Sequence, residues 1–284
     1  MSFFTRFRFE TAAAWLTAAA VGAVLLFLLF SVWPLLVSGE ILGTLRGGWR
    51  PFAAEPSYGI GPMVLVSLLM AGGAVLLAFP LAVGVAMFIH GTGSRRLRGP
   101  VQALVAFLTG VPTVVYGFVA VILLVPMMRH LDAGTTGYGL LPAILTLALL
   151  ILPTMILVLD ARLGRQDRLW MQTGLALGMS PGQTLQHVLL PQARGGLVTA
   201  MVLGLNRALG DTLVALMVAG NAARLPEGFL DSVRSLTAHI ALVLATDTFS
   251  PEYRSVAAAA LVLFLLTSGL TLGIRYLASS GESA

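Results

Sequence analysis

Six stretches of this chain stay apolar for about twenty residues or more, and that property removes most folds from consideration. They cover residues 12–36, 61–89, 101–128, 140–159, 197–219 and 255–277. A helix needs about 20 such residues to cross the hydrocarbon core of a bilayer. Inside that core every backbone N–H and C=O must be paired within the protein, which leaves helices and closed barrels. Runs this long, without strict alternation of polar and apolar residues, predict helices. The expected fold is therefore all-α: one polytopic transmembrane domain, residues 1–284, with six spans. Composition agrees, since only 10% of residues are charged against about a quarter in ordinary sequence. The first run is too long for the apolar core of a cleavable signal peptide, and no small-residue cleavage site follows a short core.

The net charge of +5 does not point to nucleic acid. All seventeen basic residues are arginine, and they sit mostly between the apolar runs. That distribution is how a membrane protein sets its orientation. With an even number of spans both termini share a side. With that side inside, the inner segments carry Arg6, Arg8, Arg95, Arg96, Arg98, Arg162, Arg165, Arg168, Arg194 and Arg275. The outer ones carry Arg46, Arg50, Arg129, Arg224, Arg234 and Arg254. The excess predicts N-in and C-in. There is no cysteine, hence no thiolate chemistry.

Three runs contain helix breakers. Pro80 with Gly72-Gly73, and Pro153, are ordinary in membrane helices. The third run is denser: Gly110, Pro112 and Gly117 fall within AFLTGVPTVVYGF, beside Tyr116. A proline removes one backbone donor and clashes with the preceding turn, so this helix is expected to kink or break and to serve as a gate if it lines a cavity. Residues 37–60 carry no chemical signature. Residues 221–254 include SVRSLTAHIALVLATDTF, too short and polar to span, which reads as an external or re-entrant helix. His239 lies in it without a second histidine at ligand spacing, so it reads as packing or solvation, and no metal site is assigned.

The fifth run carries charge where charge is costly. Arg207 lies ten residues beyond Leu197, roughly 15 Å into the membrane at about 1.5 Å per residue. An arginine at that depth costs on the order of 2.5 to 3.5 kcal/mol even on the lenient insertion scale. Asp211 follows four residues later, within pairing reach on a continuous helix. Two readings are open: a buried pair that fixes helix packing, or an arginine lining a path for an anion. A guanidinium fork matches tetrahedral oxyanions. A neighbouring carboxylate would accept a proton from hydrogen phosphate and repel fully ionised sulfate. Gly196, Ala200, Gly204 and Ala208 form a small-residue stripe suited to close helix packing.

Between the fourth and fifth runs, residues 161–196 are too polar for lipid. GMSPGQTLQHVLLP resembles the cytoplasmic EAA loop of binding-protein-dependent ABC importer permeases, with Gly178, Val188, Leu190 and Pro191 at matching places. Gln172-Thr173-Gly174 departs from that loop's Glu-Ala-Ala start. LGLNRALGDTLVALMVAGN and TGVPTVVYGF resemble the phosphate permeases of PstC type. Arg207, Ala208, Gly210, Thr212, Gly220 and Asn221 match; Asp211 replaces a Glu, and Asn206 a Gly. The resemblance implies a coupling helix at 172–191 and a phosphate path at Arg207, Asp211 and Asn206. It also implies a PstA-like second permease, two PstB-like ATPases holding ATP and Mg, and a periplasmic PstS-like phosphate-binding protein. The setting it implies is the bacterial inner membrane and its lipid. This chain has no G-x-x-x-x-G-K-[ST] loop, so no ATP site or other cofactor is expected on it, and no enzymatic activity. Alternatives are a permease for molybdate, tungstate or sulfate, and an ion-coupled carrier, which would show two matching broken helices. An intramembrane enzyme would need a second acid–base group at depth.

Overall fold

A computed structural model describes residues 3–164, 167–244 and 250–281 of the chain. Arg165 and the end of the SVRSLTAHIALVLATDTF segment, residues 245–249, lie outside the described residues, as do the side chains of Arg6, Arg8, Arg95, Arg168 and Arg275.

In chain order, α1 runs Phe3–Val37 and α2 Ile41–Arg46, and a two-residue hairpin pairs β1 (Trp49–Arg50) with β2 (Ser57–Tyr58). Next comes α3, Gly61–Met87, prolonged by a π-helical turn, Phe88–Thr92. Then follow α4 (Arg95–Gly110), α5 (Thr113–Leu131) and α6 (Leu140–Leu163). The connector holds α7 (Asp167–Ala176), α8 (Pro181–Thr184), a second π-helical turn (Leu185–Leu189) and α9 (Leu190–Gln192). The chain ends with α10 (Arg194–Leu209), α11 (Leu213–Val218), α12 (Leu236–Val243) and α13 (Pro251–Gly281).

Five helices are long and apolar enough to cross a membrane, and the bent pair of residues 181–192 and α10 brings the number to six. At the centre, α6 packs against α3 and α10. The buried face of α3 carries five alanines, Ala71, Ala74, Ala78, Ala82 and Ala86, among larger residues such as Met63, Val66, Met70 and Val75, and the alanines let α6 come close. The stripe read in the sequence does the same for α10: Gly196, Ala200, Gly204 and Ala208 are all buried. A Cβ on Gly204 would sit 2.8 Å from the Sδ of Met155 on α6. Methionine gives way easily, so Gly204→Ala is expected to cost about 1 kcal/mol. Gly204→Leu overpacks a rigid seam, costing about 3 kcal/mol or more. Thermal unfolding in detergent checks both, and a leucine variant as stable as the parent would contradict this packing.

One expected span is broken where its glycine and proline marked it, and a second is broken where no signal was read. The run 101–128 is not one helix: α4 stops at Gly110, Val111 and Pro112 are extended, and α5 alone is the span. At 19 residues, α5 covers about 28 Å, enough for the core. The run 197–219 is broken as well, at Gly210–Thr212, between α10 and α11. By contrast α3 and α6 pass through Pro80 and Pro153 without interruption.

The end away from the connector is closed by α12. His239 is fully buried there, stacked edge-on against Trp49 at 4.6 Å. Ser255 Oγ donates to the Glu252 carbonyl at 2.6 Å, so it accepts from His239 Nε2–H at 2.9 Å, leaving Nδ1 as a buried bare acceptor. The histidine packs, as its lack of a histidine neighbour suggested. Burial, helped by nearby Arg234, pushes its pKa down to about 4 from 6.5. A folded state that prefers the neutral ring keeps this contribution above about pH 6.5 and loses it as pH falls towards 4. The loss is on the order of 3 kcal/mol. Unfolding midpoints at pH 7.5 and pH 5 should therefore differ, and His239→Gln should shrink the difference.

Candidate functional site

The helices that follow the two breaks, α5 and α11, pack together. At the first, Tyr116 lies one turn into α5, and its hydroxyl donates to the Leu108 carbonyl at 2.8 Å. The same carbonyl also accepts the longer Val111 N–H bond at 3.3 Å, so the hydroxyl reinforces the end of α4. Gly117, also on α5, lies against α11: a Cβ there would fall 2.8 Å from the Sδ of Met217. At the second break, Asp211 Oδ1 accepts from the Val214 N–H at 2.8 Å, opening α11 as an N-cap does. The Asp211 carbonyl accepts from Thr237 Oγ1 at 3.0 Å, which ties the break to α12. Unwound backbone at membrane depth is tolerated when its polar groups are met in this way.

Arg207 stands on the last turn of α10, just before the second break, about 20 Å along the axis from Arg194. Its side chain is exposed on the surface of the chain, and it forms no ion pair or hydrogen bond with any described residue. It is near enough for its charge to act on both the Tyr116 hydroxyl and the Asp211 carboxylate. The helical Arg207–Asp211 pair allowed by four-residue spacing therefore does not form. Because α10 ends at Leu209, Asp211 is not on the same helix face, and its carboxylate caps α11 instead. Asn206 points elsewhere: its Nδ2 donates to Thr271 Oγ1 of α13 at 2.9 Å, and its Oδ1 is buried without a partner. Thr237 and Thr271 were not singled out in the sequence, and nothing local marks them.

Arg207, Asp211 and Tyr116 are thus brought together, with Gly117 behind them and Gly110 and Pro112 forming the first break. The arrangement can offer an anion one free guanidinium and one carboxylate whose second oxygen takes no bond from a described residue.

The connector residues form a separate knob. α7 is closed two residues beyond Ala176 by Gly178, with φ +78°. The Met179 N–H bonds the Gly174 carbonyl at 2.9 Å and the Gly178 N–H the Leu175 carbonyl at 3.0 Å, the Schellman pattern. Ser180 and Gln183 then form a capping box that starts α8. Leu185 and Leu189 are fully buried, while Val188 and Leu190 are half-buried and Pro191 is exposed. The tip is apolar and open, with Leu175 53% and Leu177 75% exposed. The knob rests on the π-turn after α3, where Gly91 faces Leu185. Beside it His90 Nε2 bonds Asp160 Oδ1 of α6 at 2.8 Å, a link across 70 residues that the sequence does not reveal. From knob to α10 the chain bends by 73°.

Residues 78–280 match the family described as "Binding-protein-dependent transport system inner membrane component". The chain belongs to that family. The permease is 33% identical over 275 residues to the probable ABC transporter permease protein YqgH of Bacillus subtilis, covering 95% of this chain and 88% of that one. It is 26% identical to the phosphate transport system permease protein PstC of Pasteurella multocida, covering 87% and 82%. An inward-facing structure of the MetNI methionine ABC transporter superposes with a TM-score of 0.61 at 19% identity, over 78% of this chain and 95% of that one. That likeness concerns the fold. The permease is thus a multi-pass inner-membrane subunit of an ABC importer, a kind of subunit that works with ATPases, a substrate-binding protein and another permease.

Proposed function

We propose that this permease carries inorganic phosphate into the cytoplasm and that Arg207 is the cation the phosphate meets inside the membrane. The observation that carries this reading is a guanidinium left unpaired beside two helix breaks. Such a group, at a depth where charge is expensive, needs an anion, water or a partner chain around it. A fork of donors suits a tetrahedral oxyanion, and the Asp211 carboxylate beside it accepts a proton only from an anion that still has one. The PstC name of several relatives supports phosphate in particular. Asn206 acts in this path by fixing α10 against α13, and the Gly110–Gly117 segment acts as the gate.

The knob takes up motion from ATPase subunits through its apolar tip and passes it along the bend into α10. The partners are a PstA-like permease, two PstB-like ATPases that hold the ATP and Mg, and a PstS-like periplasmic binding protein. Both termini lie in the cytoplasm. The test is radiolabelled phosphate uptake by the assembled transporter in proteoliposomes. Phosphate should enter with ATP, and a tenfold excess of sulfate or molybdate should leave the rate nearly unchanged. Because one guanidinium greets any tetrahedral oxyanion, a second reading assigns molybdate, tungstate or sulfate. Inhibition by one of these, with weak phosphate uptake, would favour it.

A further inference from the structure

At the end of the bundle away from the knob lies a cavity of about 460 Å³ between the end of α1, the β1–β2 hairpin and the start of α13. Its lining includes Glu40, Arg254, Tyr58 and Leu35. α1 ends at Val37 and the apolar part of α13 begins at Glu252, so the cavity stands level with the membrane surface. Next to it, the last turns of α1 show Trp33, Leu36 and Val37 outwards, 61%, 45% and 70% exposed.

Its hydroxyls are already engaged. Thr44 donates to the Glu40 carbonyl, Ser57 to the Gly48 carbonyl and Ser255 to the Glu252 carbonyl, at 3.1, 2.6 and 2.6 Å. The Tyr58 hydroxyl lies within reach of the Glu252 carboxylate. Two groups remain: the Glu40 carboxylate and the Arg254 guanidinium. Both are exposed, and neither forms an ion pair with the other or with any described residue. Opposite charges that share a cavity without meeting fit a ligand that itself carries both.

We propose that this cavity holds the headgroup of a phospholipid with a primary ammonium beside its phosphodiester. Glu40 takes the ammonium, and Arg254 takes the phosphate as a charge-assisted pair. The apolar rim of α1 receives the acyl chains, and Trp33, Trp49 and Tyr58 supply the aromatic residues typical of that depth. This occupant also bears on the transport path. The Ser255 wall is bonded to His239 on α12, and Thr237 on the same helix holds the Asp211 carbonyl. A filled cavity steadies α13 against α12, and so steadies the second break.

The test uses the full chain in nanodiscs of equal parts phosphatidylethanolamine and phosphatidylglycerol, with retained lipid read by native mass spectrometry. Phosphatidylethanolamine should be retained about tenfold over phosphatidylglycerol. Glu40→Gln should bring the ratio close to one while lipid is still held, because the phosphate contact survives. Arg254→Gln should reduce retention of both lipids. Both residues are exposed and unpaired, so neither change should disturb folding. An identical ratio in the parent chain and Glu40→Gln would overturn the proposal. So would displacement of the lipid by equimolar glycerophosphoethanolamine, which would assign the site to a soluble zwitterion. A third overturning result is no lipid preference together with weaker docking of the soluble binding protein in either variant, which would assign the cavity to a protein loop.

Discussion

Arg207→Gln is expected to cut phosphate uptake by the assembled transporter about ten- to a hundredfold while subunit assembly stays at the level of the parent. The guanidinium bonds no described residue, so the fold loses no hydrogen bond when it is replaced. The glutamine removes a charge that costs on the order of 2.5 to 3.5 kcal/mol at depth, so stability should hold or rise. Transport loses a charge-assisted contact worth about 1.5 to 3 kcal/mol, which slows passage by one to two orders of magnitude. Arg207→Lys keeps the charge without the planar fork and should fall in between. Uptake of labelled phosphate, with co-purification of the other subunits as the control, separates these outcomes. Parental uptake in the glutamine variant would refute the anion role.

The second large effect is expected at the knob. Gly178 holds φ +78° in open space, with nothing within 4 Å of where a Cβ would sit. The cost of a side chain there is therefore conformational rather than steric. A left-handed residue costs about 1 to 2 kcal/mol, and a β-branched one costs more. Gly178→Val should unwind the Schellman turn and displace the Leu175–Leu177 tip, while the buried Leu185 and Leu189 keep the rest of the connector in place. ATP-driven uptake should be lost, and ATPase co-purification reduced. Gly178→Asn should retain most of both, because asparagine enters the left-handed region at small cost. Equal loss in the asparagine and valine variants would show that the turn geometry is not what matters.

Much of this was legible in the sequence because the signals were local. Apolar runs give spans by length alone, and the 196–208 stripe gives a packing face by its four-residue spacing. Ser180-Pro181-Gly182 marks the start of α8, with Ser180 as its N-cap, just after the turn at Gly178. The first break announced itself through glycine and proline in one turn. The second did not, for it contains Gly210-Asp211-Thr212 and no proline. What ends α10 there is tertiary: the Asp211 carboxylate caps the next helix, and Thr237, 26 residues away, holds its carbonyl. A continuous helix would have put Arg207 and Asp211 on one face, so missing the break kept a buried ion pair open as one of the two readings. At Pro80 and Pro153, read as ordinary in membrane helices, α3 and α6 run straight through. The His90–Asp160 link joins residues with no shared local pattern.

The central claim is that the side chain at position 207 faces an aqueous route rather than lipid or a sealed packing seam. The chain has no cysteine, so Arg207→Cys places a single thiol on it. In the assembled transporter, that thiol should react with a hydrophilic, membrane-impermeant methanethiosulfonate, and at a rate that changes when the ATPases bind ATP. A thiol that ignores the hydrophilic reagent in every nucleotide state, yet reacts with a lipid-soluble maleimide, would contradict the account.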